Sequence, residues 1–210
     1  MLFRSAVDSL RTLATDRSES WEVREALVNA LVTIATGDGP AKAVDRERST
    51  QLLLDRARHD SSLRVRCAAI KGLGTLRSTE AMPLFLDALT RDSQSDELRQ
   101  AALEALGSLD DAKGLPRVLG CTRAGFDSRT RPVAIGIAAK LAHHDPEAAF
   151  ATLSPLLKDR EIRTARAAGE ALVQMKHPKA AEAIKAAMQG EFAEELLWQS
   201  GQWLKALGAK

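Results

Sequence analysis

The chain has 210 residues, of which 45% are hydrophobic and 28% are charged, so it can bury a core of its own and is not expected to be disordered. Its 30 basic residues nearly balance its 28 acidic residues, which leaves a formal net charge of +2 and no strong field to attract nucleic acid. Only 4% of the residues are aromatic, whereas alanine and leucine recur throughout, which favours helices over strands.

The first predicted element is a helix at the amino terminus. Charges at Arg4, Asp8 and Arg11 interrupt its apolar residues, so it lacks the apolar stretch of a signal peptide. No later segment approaches the roughly 18 uncharged apolar residues that a membrane span needs. We therefore expect no membrane segment and a cytoplasmic location.

A helical pattern then repeats along the chain, with anchor positions at 24, 66, 99, 131, 165 and 197. The first four anchors are arginines, each followed by an apolar run rich in alanine. Apolar or small residues occupy the positions four, seven and ten residues after each anchor, which is the spacing of one helix face. The anchors are 42, 33, 32, 34 and 32 residues apart, within the range of helical repeat proteins.

A second apolar segment precedes each later anchor, so each repeat is predicted to be a pair of helices. These segments cover residues 81–89, 115–121, 148–157 and 180–188. The longer first gap falls around residues 37–40, where we expect an extended loop or a lengthened helix. The prediction is an all-α, right-handed α-solenoid of about six helical pairs that forms a single domain over residues 1–210. Its units are approximately 1–36, 37–77, 78–109, 110–143, 144–176 and 177–210.

The repeated pattern Asp-x(4–6)-[Val/Leu]-Arg-x-x-Ala-[Leu/Ile]-x-x-Leu resembles HEAT repeats, and particularly the short HEAT-like repeats named after the phycobilisome lyases. It is explicit at 60–73 and 92–106, and recognisable at 16–31 and 127–141. The resemblance implies that the turn aspartate and the helix arginine form a structural ladder along the stack. The implied ladder residues are Arg24, Arg66, Arg99, Arg131, Asp60, Asp92 and Asp127.

Several kinds of protein contain such repeats, and they provide alternatives to a simple scaffold. The chain is similar to the HEAT-like C-terminal region of M1-family zinc aminopeptidases, but it has no HExxH motif, so only a non-catalytic accessory region fits. It also resembles phycobilin lyases, which act on tetrapyrroles, and HEAT-like DNA glycosylases. No functional residue of these families maps onto a matching motif here.

The densest group of potential metal ligands is His143, His144, Asp145 and Glu147. Adjacent histidines on a chain that enters a helix are not expected to converge on one ion, so we predict a solvated helix junction. The sequence also has no nucleophile elbow, phosphate-binding loop or dinucleotide fingerprint. We therefore expect no catalytic residue, no cofactor and no metal site, and predict that the chain is not an enzyme.

The anchored helices are predicted to form the concave face that binds a partner. Their residues between the apolar positions form a mixed-charge row with several amides, which suits a protein or peptide better than nucleic acid. A catalytic domain of the same parent chain is a further candidate partner. The predicted face consists of Glu25, Asn29, Lys71, Gln100, Glu104, Lys140, Glu170, Gln174, Trp198 and Gln199.

Overall fold

The computed structural model of the protein describes residues 9, 12, 13, 18–37, 42–189 and 194–209. Within them the chain forms α-helices, short 3-10 turns and loops but no strand, which confirms the all-α repeat fold. None of the described helices is long and apolar enough to cross a membrane. The helices are α1 (Trp21–Thr36), α2 (Lys42–His59), α3 (Leu63–Thr75), α4 (Met82–Ala88), α5 (Glu97–Leu109), α6 (Leu115–Gly120), α7 (Thr130–Leu141), α8 (Pro146–Leu153), α9 (Ile162–Met175), α10 (Ala180–Met188) and α11 (Glu194–Ala206).

The odd-numbered helices are the predicted anchored helices, and each from α3 onward follows a partner helix as predicted. Helix α2 has 18 residues, so the longer first gap is partly a lengthened helix. The predicted amino-terminal helix falls mostly outside the described residues, and so does the predicted loop at 38–40.

Two compact units divide the chain, Met1–Leu109 and Asp110–Lys210. The division coincides with the predicted boundary between the third and fourth repeats. The organisation of the whole chain as a single domain stays a prediction.

In the first unit, α3 packs against α1, α2 and α5, and α4 packs against α5. The predicted apolar face supplies much of the core, because these positions point towards the neighbouring helices. Phe85 on α4 and Leu53 on α2 are both fully buried. The largest fully buried side chains of this unit are Leu31, Leu53, Ile70, Leu73, Leu76, Phe85, Leu103 and Leu106.

In the second unit, α9 packs against α7, α8 and α11. The predicted apolar face is buried on α7, whereas on α11 Leu204 and Leu207 are only partly buried against the core and Gly201 is exposed. Trp203 is buried instead, and its ring lies directly on the backbone of Gly169. Because glycine has no side chain, the large indole fits there, and the buried position lies one residue before the predicted Leu204.

Side-chain caps begin several elements where the sequence has Ser or Asp before a predicted helix. The Ser20 hydroxyl accepts a hydrogen bond from the Val23 N–H, and the Asp145 carboxylate accepts one from the Ala148 N–H at 3.0 Å. The Asp111 carboxylate accepts a hydrogen bond from the Lys113 N–H at 2.8 Å. These bonds satisfy N–H groups that the helix itself leaves unpaired.

Helices α3 and α5 approach closely at Gly74. A Cβ atom at this position would lie 2.5 Å from the Ala105 Cα and 2.7 Å from its carbonyl oxygen. Since both atoms belong to backbone, neither can move aside without separating the helices. Gly74 is therefore required for this packing distance.

We expect Gly74→Ala to lower the free energy of unfolding by about 1–3 kcal/mol, because the added methyl overpacks the α3/α5 contact. Gly136 on α7 is the matched control, since a Cβ there meets nothing within 4 Å. Gly136→Ala is expected to raise the free energy of unfolding by about 0.5–1 kcal/mol through helix propensity. Urea unfolding of both variants checks this, and equal effects would contradict it.

Candidate functional site

A groove of about 590 Å³ lies along the first unit and is lined by residues of α1, α3 and α5. These three helices belong to successive repeats and pack side by side. Half of the predicted partner face lines this one groove, namely Glu25, Asn29, Lys71, Gln100 and Glu104.

The charged groups of the groove are unevenly paired. The Lys71 ammonium lies 2.8 Å from the Glu104 carboxylate, and both side chains are about half exposed. The Arg64 guanidinium lies over the Trp21 ring, 5.4 Å from its centroid. Glu25 and Glu97 form no ion pair with any residue of the described ranges. The lining therefore has three carboxylates, Glu25, Glu97 and Glu104, against two cations, Lys71 and Arg64, which leaves one net negative charge.

Two amide side chains add hydrogen-bonding capacity. The Gln100 amide nitrogen donates to the Ser95 carbonyl at 3.0 Å, while its oxygen accepts no hydrogen bond among the described residues. The Asn29 side chain is exposed and likewise has no hydrogen bond to that part of the chain. An amide offers both a donor and an acceptor, which matches the two polar groups of a peptide bond.

Small and apolar residues form the base of the groove, where Val32, Ala68, Gly72 and Cys67 line it. Burial, with a smaller contribution from the charge of Glu97, raises the pKa of the Cys67 thiol to about 11. The thiol is therefore protonated at neutral pH and is a weak nucleophile.

The other half of the predicted face lies in the second unit. Lys140 on α7 and both Glu170 and Gln174 on α9 are exposed. On α11, Trp198 is 74% exposed and the Gln199 oxygen accepts a hydrogen bond from Arg166 at 3.2 Å. These residues do not line the groove, and their role in binding stays a prediction.

The arginines of the implied ladder share one contact. The Nε–H of Arg66 donates to the Ala57 carbonyl, that of Arg99 to Leu89, and that of Arg131 to Thr122. Each acceptor lies in the last turn of the preceding helix or just beyond it, where helix carbonyls lack a partner within the helix. The arginine thus joins the two helices of its own repeat.

Arg24 makes a different contact, because it pairs with a carboxylate of the next repeat. Its guanidinium binds both oxygens of Asp60, at 2.9 and 3.0 Å, and both side chains are buried. Burial alone would raise the pKa of Asp60, but hydrogen bonds from Arg24 and the Ser62 N–H, with the charges of Arg24 and Arg56, hold it below its usual value.

Arg131 also reaches the next repeat, but its partners were not predicted. Its guanidinium lies 2.5 Å from Asp159 and 3.0 Å from Glu161, and the Arg131 contact holds the pKa of Asp159 below its usual value. Asp159 stands six residues before the anchor at Ala165, as Asp60 does before Arg66. Extending the repeat pattern to the fifth unit would have found it.

The remaining ladder aspartates behave differently from one another. Asp92 lies 3.2 Å from Arg99 but is fully exposed, and the buried partner of Arg99 is Asp96. The Asp127 carboxylate accepts hydrogen bonds from the backbone and side chain of Arg129. Arg129 and Arg131 are therefore both engaged with carboxylates.

The residues around the two adjacent histidines separate into three contacts. Asp145 caps α8, and Glu147 lies 3.1 Å from His177. His143 and His144 converge instead on Asp110. No local motif marks this cluster, because Asp110 lies more than 30 residues before the two histidines.

Comparison with known protein families identifies the repeat. The family model described as HEAT repeats matches residues 50–136, and the model described as PBS lyase HEAT-like repeat matches residues 164–190. The chain belongs to the HEAT-repeat family. No curated protein sequence matches it.

Solved structures show the same fold at low sequence identity. An engineered protein is 20% identical, with a TM-score of 0.54 over 97% of this chain and 96% of its own. Human deoxyhypusine hydroxylase in complex with glycerol is 17% identical, with a TM-score of 0.53 over 99% and 75%. A designed armadillo repeat protein in complex with the peptide (KR)4 is 16% identical, with a TM-score of 0.57 over 95% and 98%. These likenesses establish the HEAT-like helical fold and nothing about activity.

The buried pair between Arg24 and Asp60 predicts a large effect of Asp60→Asn. The substitution leaves Arg24 and Arg56 buried beside a neutral group, which is expected to lower the free energy of unfolding by about 3–5 kcal/mol. Asp87→Asn is the control, because Asp87 and its partner Arg91 are about half exposed and such a pair contributes about 1 kcal/mol or less.

The same pair predicts a pH dependence. The folded pKa of Asp60 lies below that of the unfolded chain, about 3.9, so its contribution is complete above that value and is lost as pH falls through the folded pKa. Unfolding measured from pH 6 to pH 3 should therefore show a shallower loss of stability in Asp60→Asn than in the wild type. A parallel loss in both proteins would contradict the assignment.

Proposed function

We propose that this HEAT-repeat chain is a non-catalytic scaffold that binds a partner protein through an extended basic peptide segment, held in the groove along α1, α3 and α5. The observation that carries the proposal is the convergence of five partner-face residues, from three different repeats, on one groove. The sequence pattern selected these residues by helical periodicity alone, without reference to any cavity.

The groove has the length of a short extended peptide. Packed helix axes are about 8–10 Å apart, so three adjacent helices span roughly 20 Å between the outer axes. An extended chain rises about 3.3 Å per residue, and about six residues therefore cross the groove. The amides of Asn29 and Gln100 can pair with the backbone of such a segment.

The charge of the groove favours a basic segment. Glu25 and Glu97 have no cationic partner in the described residues, whereas Lys71 is paired with Glu104 and Arg64 lies over Trp21. The designed armadillo repeat protein in complex with the peptide (KR)4 supports the idea that a helical repeat fold can hold a peptide of this chemistry.

The scaffold role is argued from the groove, because the fold itself does not decide it. Human deoxyhypusine hydroxylase shares the fold and is an enzyme by name. The described residues that line the groove include no histidine, and the Cys67 thiol has a raised pKa. These groups supply neither a base near neutral pH nor an activated nucleophile. A catalytic domain of the same parent chain is the alternative occupant.

Binding of a fluorescently labelled (KR)4 peptide, followed by anisotropy, tests the proposal. We expect the wild-type protein to bind it and to ignore an alternating Asp-Glu peptide of the same length. Glu25→Lys with Glu97→Lys should weaken binding at least about tenfold, or about 1.4 kcal/mol, because it places like charges against the peptide.

The matched control carries Glu22→Lys with Glu80→Lys. Both residues are exposed in the same unit and neither lines the groove, so the change in net charge is the same. We expect its affinity to fall less than about threefold. Equal losses in both double variants, or no binding by the folded wild type, would refute the proposal.

A further inference from the structure

Two histidines and an aspartate meet at the start of α8 in the second unit. The Asp110 Oδ1 atom lies 3.2 Å from the His143 Nε2 atom and 3.1 Å from the His144 Nε2 atom. One potential ligand atom from each residue lies within 4.8 Å of the others. The adjacent histidines can converge because they sit in a 3-10 turn, Ala142–His144, with ring centroids 4.0 Å apart.

The orientation of the His143 ring is fixed by a second contact. Its Nδ1 atom lies 3.1 Å from the Lys140 carbonyl oxygen, and a carbonyl can only accept, so Nδ1 carries the hydrogen. The Nε2 atom then faces the Asp110 carboxylate at 3.2 Å, where either a proton on Nε2 or a metal ion between the two atoms joins them. Metal-bound histidines commonly donate their other ring N–H to a carbonyl in this way.

Two of the three spacings in the cluster, those from Asp110 to each histidine, fit the edges of a metal coordination shell. Zinc binds histidine nitrogen at about 2.0–2.1 Å and carboxylate oxygen at about 2.0–2.2 Å. For ligand–metal–ligand angles of about 95–110°, two such atoms lie about 3.0–3.4 Å apart. The two oxygen–nitrogen distances of 3.1 and 3.2 Å fall within this range.

We propose that Asp110, His143 and His144 bind one divalent transition-metal ion of the zinc type. Imidazole donors suit zinc and its neighbours, whereas magnesium and calcium prefer oxygen donors alone. All three side chains reach solvent, with exposures of 35%, 56% and 23%, so water completes the coordination. The ion would tie the turn before α8 to Asp110, more than 30 residues earlier in the chain.

Titration of tag-free protein with Zn²⁺ by calorimetry tests the site. We expect one ion per chain, with binding weakened at least about tenfold in His143→Gln, His144→Gln and Asp110→Asn, each of which removes a ligand. His59→Gln is the matched control, since His59 is an exposed histidine at the end of α2. Its affinity should equal that of the wild type.

Thermal unfolding gives an independent readout. A ligand that binds only the folded protein raises Tm, so Zn²⁺ should raise the Tm of the wild type and His59→Gln but not of the two other histidine variants. His143→Gln and His144→Gln alter partly exposed side chains, so both variants are expected to fold. They keep the test valid if Asp110→Asn fails to fold. Absence of saturable binding, unchanged affinity in His143→Gln and His144→Gln, or equal loss in His59→Gln would overturn the proposal.

Discussion

The contact on which the stack depends is the one between a recurring arginine and the end of the preceding helix. A helix ends with carbonyl groups that have no partner within the helix, and in a short helical pair these lie close to the next helix. Arg66, Arg99 and Arg131 each donate Nε–H to such a carbonyl. The Arg131 guanidinium in addition binds a carboxylate of the following repeat, and Arg24 donates its Nε–H to such a carboxylate instead of to a helix-end carbonyl. One residue type thus fixes the pairing within a repeat and the register between repeats.

The groove follows from a second constraint, the close approach of the anchored helices. Gly74 lies against the backbone of Ala105, and Ala69, Ala101 and Ala102 are further small residues buried on α3 and α5. Longer side chains of α1, α3 and α5 line the open groove. Charge and amide groups can vary on that face without disturbing the core, which separates binding from stability.

The fold was predictable from the sequence because its determinants recur. The positions four, seven and ten residues after an anchor are buried on α3, α5 and α7, and half of the proposed face lines one groove. Two features could not be predicted from the sequence, because they do not recur along the chain. On α11 the Trp203 ring lies over Gly169, a pair that has no counterpart among the other glycines of the described residues. The cluster of Asp110, His143 and His144 joins residues of different turns, so no spacing along the sequence predicts their contact.

Periodicity therefore separates structural residues from candidate site residues in this protein. The arginine recurs at the same position in four repeats, and in three of them it donates to a helix end that also recurs. The pair His143 and His144 has no counterpart in the other repeats, so the repeat architecture gives no reason for it. Uniqueness alone is insufficient, since Trp203 is also unique and is buried as a core residue. The histidines differ from Trp203 because they are partly exposed. Their rings also meet one carboxylate, that of Asp110, and helix packing does not require this arrangement.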